Sequence, residues 1–168
     1  MRWLFILLFI AAACNRPDHS QPGVQSVPAS SRDDSLFLAD DFAELGWDQY
    51  SYEDFDSGLV WFDSALKYNP DHSQAWHGRA LMLEKLDRDP EALVAYRNAE
   101  RLDPQNRQAI WHFGCHLARA GEKELALNQL RKVIALDSSY AIGVRTEDCW
   151  TSLWHDLDFL EVVGVIEK

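Results

Sequence analysis

The stretch "HFGCH", residues 112–116, sets His112, Cys115 and His116 at i, i+3 and i+4. On a helix these three share one face. Two imidazoles and a thiolate are a ligand set for Zn²⁺, and a thiol beside a base is the start of a nucleophile. The motif departs from H-E-x-x-H, because Phe113 stands where the glutamate base belongs, and from a C-x-x-C-H haem site, because residue 112 is His. Ordinary helix residues are the weightier reading, so no metal or cofactor is expected. No Ser/His/Asp order, Gly-rich phosphate loop or paired-carboxylate cleft stands out. The chain reads as a non-enzyme, with a small metal- or thiol-dependent enzyme built on His112, Cys115 and His116 as the alternative.

Charge removes one class of partner. The chain has 27 Asp+Glu against 16 Lys+Arg, a net charge of −11. Phosphate backbones are repelled, so no nucleic-acid partner is expected.

The first residues carry processing signals. Arg2 precedes the uncharged run Trp3 to Ala13, "WLFILLFIAAA". As a helix this run is roughly 16 Å long, about half a bilayer core, which suits the apolar part of a signal peptide rather than a membrane span. Ala11-Ala12-Ala13-Cys14 resembles the lipobox of bacterial lipoproteins, although that family prefers Leu where Ala11 stands. The resemblance implies a lipoprotein signal peptide over 1–13 and a lipidated Cys14, with palmitate-type acyl chains holding the protein to a membrane. Asn15 rather than Asp after the cysteine points to the outer membrane, facing the periplasm. Residues 15–34 hold three of the six prolines and four serines. They bury too little apolar surface to fold alone, so 14–34 reads as the lipidated Cys and a flexible tether reaching about 25 Å.

What must position the candidate residues is a repeat. Pro70 in "KYNPDHSQAW" and Pro104 in "RLDPQNRQAI" lie 34 residues apart, and Ser138 follows after the same interval. Units starting at Ala39, Ser73 and Arg107 align. The fourth residues are Phe42, Trp76, Ile110; the eighth Gly46, Ala80, Gly114; the twentieth Gly58, Ala92, Ala126; the twenty-fourth Phe62, Tyr96, Leu130; the twenty-seventh Ala65, Ala99, Val133. Small residues allow two helices to approach, and large ones fill the space beside them. This pattern resembles the tetratricopeptide repeat (TPR), a helix–turn–helix. The expected fold is all-α: a TPR solenoid of three repeats over 35–138 (about 39–72, 73–106 and 107–140) plus C-terminal capping helices over 139–168. Helices are expected near 35–51, 54–68, 73–86, 90–102, 107–120 and 123–136. Asp89 is the expected N-cap of the fourth, with Pro90 at N1. Gln49, Leu83 and Leu117 at the usually aromatic eleventh position, and Arg79 at the seventh, are expected weak spots. A full fourth unit would bury Asp148 at its eighth position, at high cost, so the tail should cap instead, through Trp150, Leu153, Leu157 and Leu160 with Phe159 assisting.

By the same resemblance, the first helix of each unit lines a concave groove. Its positions map to Asp40, Ala43, Glu44, Trp47, Tyr50 and Ser51; to Gln74, His77, Gly78, Leu81, Glu84 and Lys85; and to Gln108, Trp111, His112, Cys115, Ala118 and Arg119. Trp47, Tyr50 and Trp111 are large aromatics of the kind that anchor partners, unless the cap or tether folds over them. Glu44, Glu84 and Arg119 would set polarity. Ala43 and Trp47 replace the first Lys and Asn of TPR clamps for acidic chain ends, so such a clamp is not expected. Cys115 and Cys149 both fall at the ninth position, one period apart, so a disulfide between neighbouring first helices is open. It requires the tail to keep register and the Cα atoms to come within about 6.8 Å.

The reading as a whole is a lipid-anchored TPR lipoprotein of the bacterial envelope. Its partners are a protein or peptide segment in the groove and the membrane through Cys14. It acts as a binding scaffold or adaptor. A structural module that self-associates through the groove is a further alternative.

Overall fold

The computed structural model describes residues 32–165 of the chain. The expected signal peptide, Cys14 and most of the expected tether lie outside the described residues. Six helices form three antiparallel pairs: α1 (Arg32–Ser51) with α2 (Phe55–Tyr68), α3 (Ser73–Lys85) with α4 (Asp89–Leu102), and α5 (Arg107–Arg119) with α6 (Lys123–Leu136). Short α7 (Tyr140–Gly143), two 3₁₀ segments (Val144–Thr146 and Asp148–Leu153) and α8 (Leu157–Val162) follow. The described residues contain no strand, and no helix among them is long and apolar enough to cross a membrane.

The helix starts have local causes. Asp54 caps α2 by accepting the Ser57 N–H, His72 Nδ1 caps α3 by accepting the Ala75 N–H (3.2 Å), and Asn106 Oδ1 caps α5 by accepting the Ala109 N–H (3.1 Å). Helix α4 departs from expectation. It begins at Asp89, with Arg88 in the cap position and no side-chain cap bond. The Arg88 guanidinium instead holds Glu91 through two N–H···O contacts of 2.7 Å. Asp89 and Pro90 thus sit inside the first turn, where an acidic group and a missing N–H are both tolerated.

The turns inside the three units share one strained position. Glu53 (φ 58°), Asp87 (φ 56°) and Gly121 (φ 77°) are one period apart and all left-handed. Only the third is glycine. A side chain there costs about 1–2 kcal/mol, part of which glycine returns as unfolded-state entropy. Glu53→Gly and Asp87→Gly should therefore each stabilise the fold by about 0.5–1 kcal/mol, read as a raised midpoint of urea unfolding.

Packing follows the repeat. Phe62, Tyr96 and Leu130 are buried, as are Ala65, Ala99 and Val133 beside them. Leu83 and Leu117, expected to pack poorly, are instead fully enclosed (0% and 2% exposed). An aliphatic side chain fills the space an aromatic would take, with Met82 added from the same helix. Arg79 is accommodated at the rim, where its Nε donates to Asp63 (2.7 Å) and its guanidinium lies over Trp76 (5.7 Å).

The tail closes the last pair. Asp148 stays exposed, as its charge requires, and the segment around it winds as 3₁₀ against α5, while α8 packs on α6. Trp150, Leu153 and Phe159 are the buried covers, while Leu157 is 71% exposed and Leu160 half-buried. Asp156 accounts for this change from the expected set. It caps α8 by accepting the N–H groups of Asp158 and Phe159, and this sets the helix rotation that turns Phe159 inward. Lys123 on α6 clamps the same turn through Asp156 (2.7 Å) and Asp158 (2.8 Å).

Candidate functional site

Helices α1, α3 and α5 stand side by side and form one wall. At the α1 end, Asp40 and Glu44 are exposed, and Asp40 Oδ1 lies 3.0 Å from His72 Nε2. Trp47 and Tyr50 are half-buried and meet edge to face at 6.1 Å. Trp47 also rests edge-on against Phe62 (5.2 Å) and the His77 ring (5.5 Å).

The middle of the wall is filled rather than open. His77 is 3% and Leu81 6% exposed. His77 Nε2 lies 2.8 Å from His112 Nδ1, with the two rings stacked. One nitrogen donates and the other accepts, so the pair suits two neutral imidazoles. Burial, with the His112 charge adding to it, drops the His77 pKa to about 3. Burial also lowers that of His112. Gly78, expected to face the groove, is buried beneath the Phe62 ring instead.

Glu84 ties three helices together. Its carboxylate accepts from Tyr96 Oη (3.0 Å), His116 Nδ1 (3.2 Å) and the Arg119 guanidinium. Burial alone would raise its pKa. The His116 bond, the Arg119 charge and the Tyr96 bond outweigh that and hold it below the usual value. Arg119, the groove-end cation, is thus already paired.

At the α5 end, the tail leans over the wall. Trp111 is half-buried, with Tyr140 at 5.1 Å and Trp150 at 5.7 Å. Cys115 is joined to Cys149 by a disulfide, with Cα atoms 5.2 Å apart. With Cα atoms about 2.3 Å from a helix axis, this separation fits ordinary helix-like packing, at axes about 8–10 Å apart. Beside the bridge, Trp150 packs directly over Gly114. The bond is checked by alkylation: an iodoacetamide label should enter Cys115 and Cys149 only after reduction. The three side chains of "HFGCH" are engaged apart: His112 with His77, Cys115 with Cys149, His116 with Glu84. Among the described residues, no group of three or more His, Cys, Asp or Glu is arranged to hold a metal ion.

The sequence-predicted groove residues thus fall into two sets. Asp40, Glu44, Trp47, Tyr50, Trp111, His112 and Arg119 retain exposed surface, Glu84 is half-buried within its hydrogen-bond network, and His77, Leu81 and Cys115 support the wall from within. Missed in the sequence were Tyr140 and Glu147, which the tail adds beside Trp111.

Three stacked helix pairs whose first helices share a wall define a TPR helical solenoid, and comparison with solved structures agrees on that fold. The first TPR domain of Spaghetti bound to an HSP90 peptide superposes with a TM-score of 0.62, at 16% identity over 70% of this chain and 94% of that one. The TPR2B domain of yeast Sti1 in complex with an Hsp70 peptide gives 0.59, at 18% identity over 77% and 99%. The Yersinia enterocolitica secretion chaperone SycD with a peptide of the translocator YopD gives 0.58, at 17% identity over 81% and 95%. Among curated proteins, the chain is 29% identical over 94 residues to Superkiller protein 3 of Schizosaccharomyces pombe and 29% over 92 residues to the peroxisomal targeting signal receptor of Saccharomyces cerevisiae. These matches take in 56% and 55% of this chain but only 7% and 15% of those proteins. No protein-family model matches the chain.

Proposed function

We propose that this chain is a protein-binding scaffold that holds a segment of a partner along the wall of α1, α3 and α5. The observation that carries the reading is the set of part-exposed aromatics at the two ends of the wall, Trp47 and Tyr50 on α1 and Trp111 and His112 on α5, with exposed Asp40 and Glu44 beside the first pair. Amphipathic aromatics on a rigid surface give large contact area at little entropic cost. Solved TPR domains of similar fold that hold peptides support the same reading.

The proposal extends to location. Cys14 carries the acyl chains that fix the protein to the bacterial envelope, at the outer membrane facing the periplasm. This part rests on the sequence "AAAC". Palmitate labelling of cells should mark the protein, and Cys14→Ser should abolish the label.

Crosslinking in intact cells tests the groove. The native chain is compared with Trp47→Leu/Trp111→Leu and with Val94→Arg, an exposed site on α4. All three should keep native circular dichroism. Partners should be lost in the double variant and retained in Val94→Arg. Equal recovery by all three would reject the groove.

A further inference from the structure

Where the tail meets α5 there is a cleft of about 360 Å³, lined by Gln108, Trp111, His112, Tyr140 and Glu147 among others. The Trp111 and Tyr140 rings, with centroids 5.1 Å apart and planes tilted by 55°, pack on each other and form one aromatic side of the cleft. Glu147 sits at the extended residue between the two 3₁₀ segments. It is exposed and makes no ion pair with any described residue. The lining includes no lysine or arginine. Arg107, on the first turn of α5, is held by Asp137 (2.8 Å). His112 adds no charge near neutral pH, because burial lowers its pKa. A cavity with π faces, a free carboxylate and no competing cation favours a positive guest.

We infer that this cleft receives a lysine or arginine side chain of the partner segment, so that the groove selects basic sequences. The inference rests on the groove reading and adds the partner's chemistry to it. The apolar stem of such a side chain lies along the joined surface of Trp111 and Tyr140, and its charge reaches Glu147. The surrounding charge agrees: the chain as a whole carries −11, the opposite end of the wall presents Asp40 and Glu44, and Arg119 is neutralised by Glu84.

The test uses the full chain in mild detergent, with capped alanine pentapeptides carrying Lys, Arg or Glu at the centre. The Trp111 indole and Tyr140 ring resonances are followed by NMR. The Lys and Arg peptides should shift both signals saturably, and the Glu peptide should not. Glu147→Gln, an exposed change that leaves the fold intact, should weaken the basic peptides by roughly fivefold. Equal shifts from the Glu peptide, no shifts at all, or shifts indifferent to Glu147→Gln would each overturn the inference. If the crosslinking partners are still lost in Trp47→Leu/Trp111→Leu, such a result rejects the cation site alone. If they are retained there, the groove itself is wrong.

Discussion

Replacing Gly78 by alanine should destabilise the fold by about 2 kcal/mol. A Cβ at this position would stand 2.1 Å from Phe62 Cζ and 2.3 Å from its Cε1. The ring has little slack, because it also lies against Gly46, where an added Cβ would stand 2.8 Å from it. Phe62 is fully buried, so relief needs movement of α2 against α1 or α3. Overpacking of this kind costs about 3 kcal/mol at the upper end of the usual range. Alanine's better helix propensity returns about 1 kcal/mol. The melting temperature should fall by about 6–10 °C. Two comparisons make the cause testable. Gly143→Ala, where a Cβ meets nothing within 4 Å, should change little. Phe62→Leu should cost less in the Gly78→Ala background than in the native one, because the smaller side chain relieves the clash. Simple additivity of the two costs would show that the ring is not what Gly78 accommodates.

The second large effect is acid sensitivity through His77. Unfolded, its imidazole binds a proton near pH 6.5; folded, not until about 3. Between those values the unfolded state holds more protons, so stability falls as pH falls through that window. Above pH 6.5 the term vanishes. At pH 4.5 it amounts to about 3 kcal/mol, at roughly 1.4 kcal/mol per pH unit. Trp47, Tyr96 and His112 surround the ring, and none of them offers a negative charge to an imidazolium. His112 acts in the same direction, since its pKa is also lowered. Carboxylates such as Glu84, whose pKa the fold lowers, also lose their contribution in acid, so the effect of His77 must be isolated. Urea unfolding of the native chain and of His77→Gln, at pH 7 and pH 4.5, does this. The native chain should lose about 3 kcal/mol more than the variant. An equal loss would mean that His77 is protonated within the fold.

These two results bear on binding as well as stability. The wall that presents Trp47, Tyr50 and Trp111 stays in one arrangement because His77, Phe62 and Gly78 lock α1, α2 and α3 together beneath it. A rigid wall loses less entropy when a partner docks than a loose one.

What the amino-acid order settled alone was the helical skeleton. The 34-residue recurrence of small and large residues placed six helices to within a few residues, because helix formation and termination depend on neighbours along the chain. The shared left-handed turn could have been read the same way, since Glu53 and Asp87 stand two periods and one period before Gly121. The tertiary structure alone decided which wall residues remain exposed. His77 and His112 are 2.8 Å apart across two units, Glu84 gathers Tyr96, His116 and Arg119, and Gly78 gives its place to Phe62. The same holds for the tail, where Phe159 rather than Leu157 turns inward and Tyr140 and Glu147 join Trp111. Such meetings depend on how far one helix pair is rotated and shifted against the next. That quantity comes from the sum of many side-chain volumes, and no local run of residues encodes it.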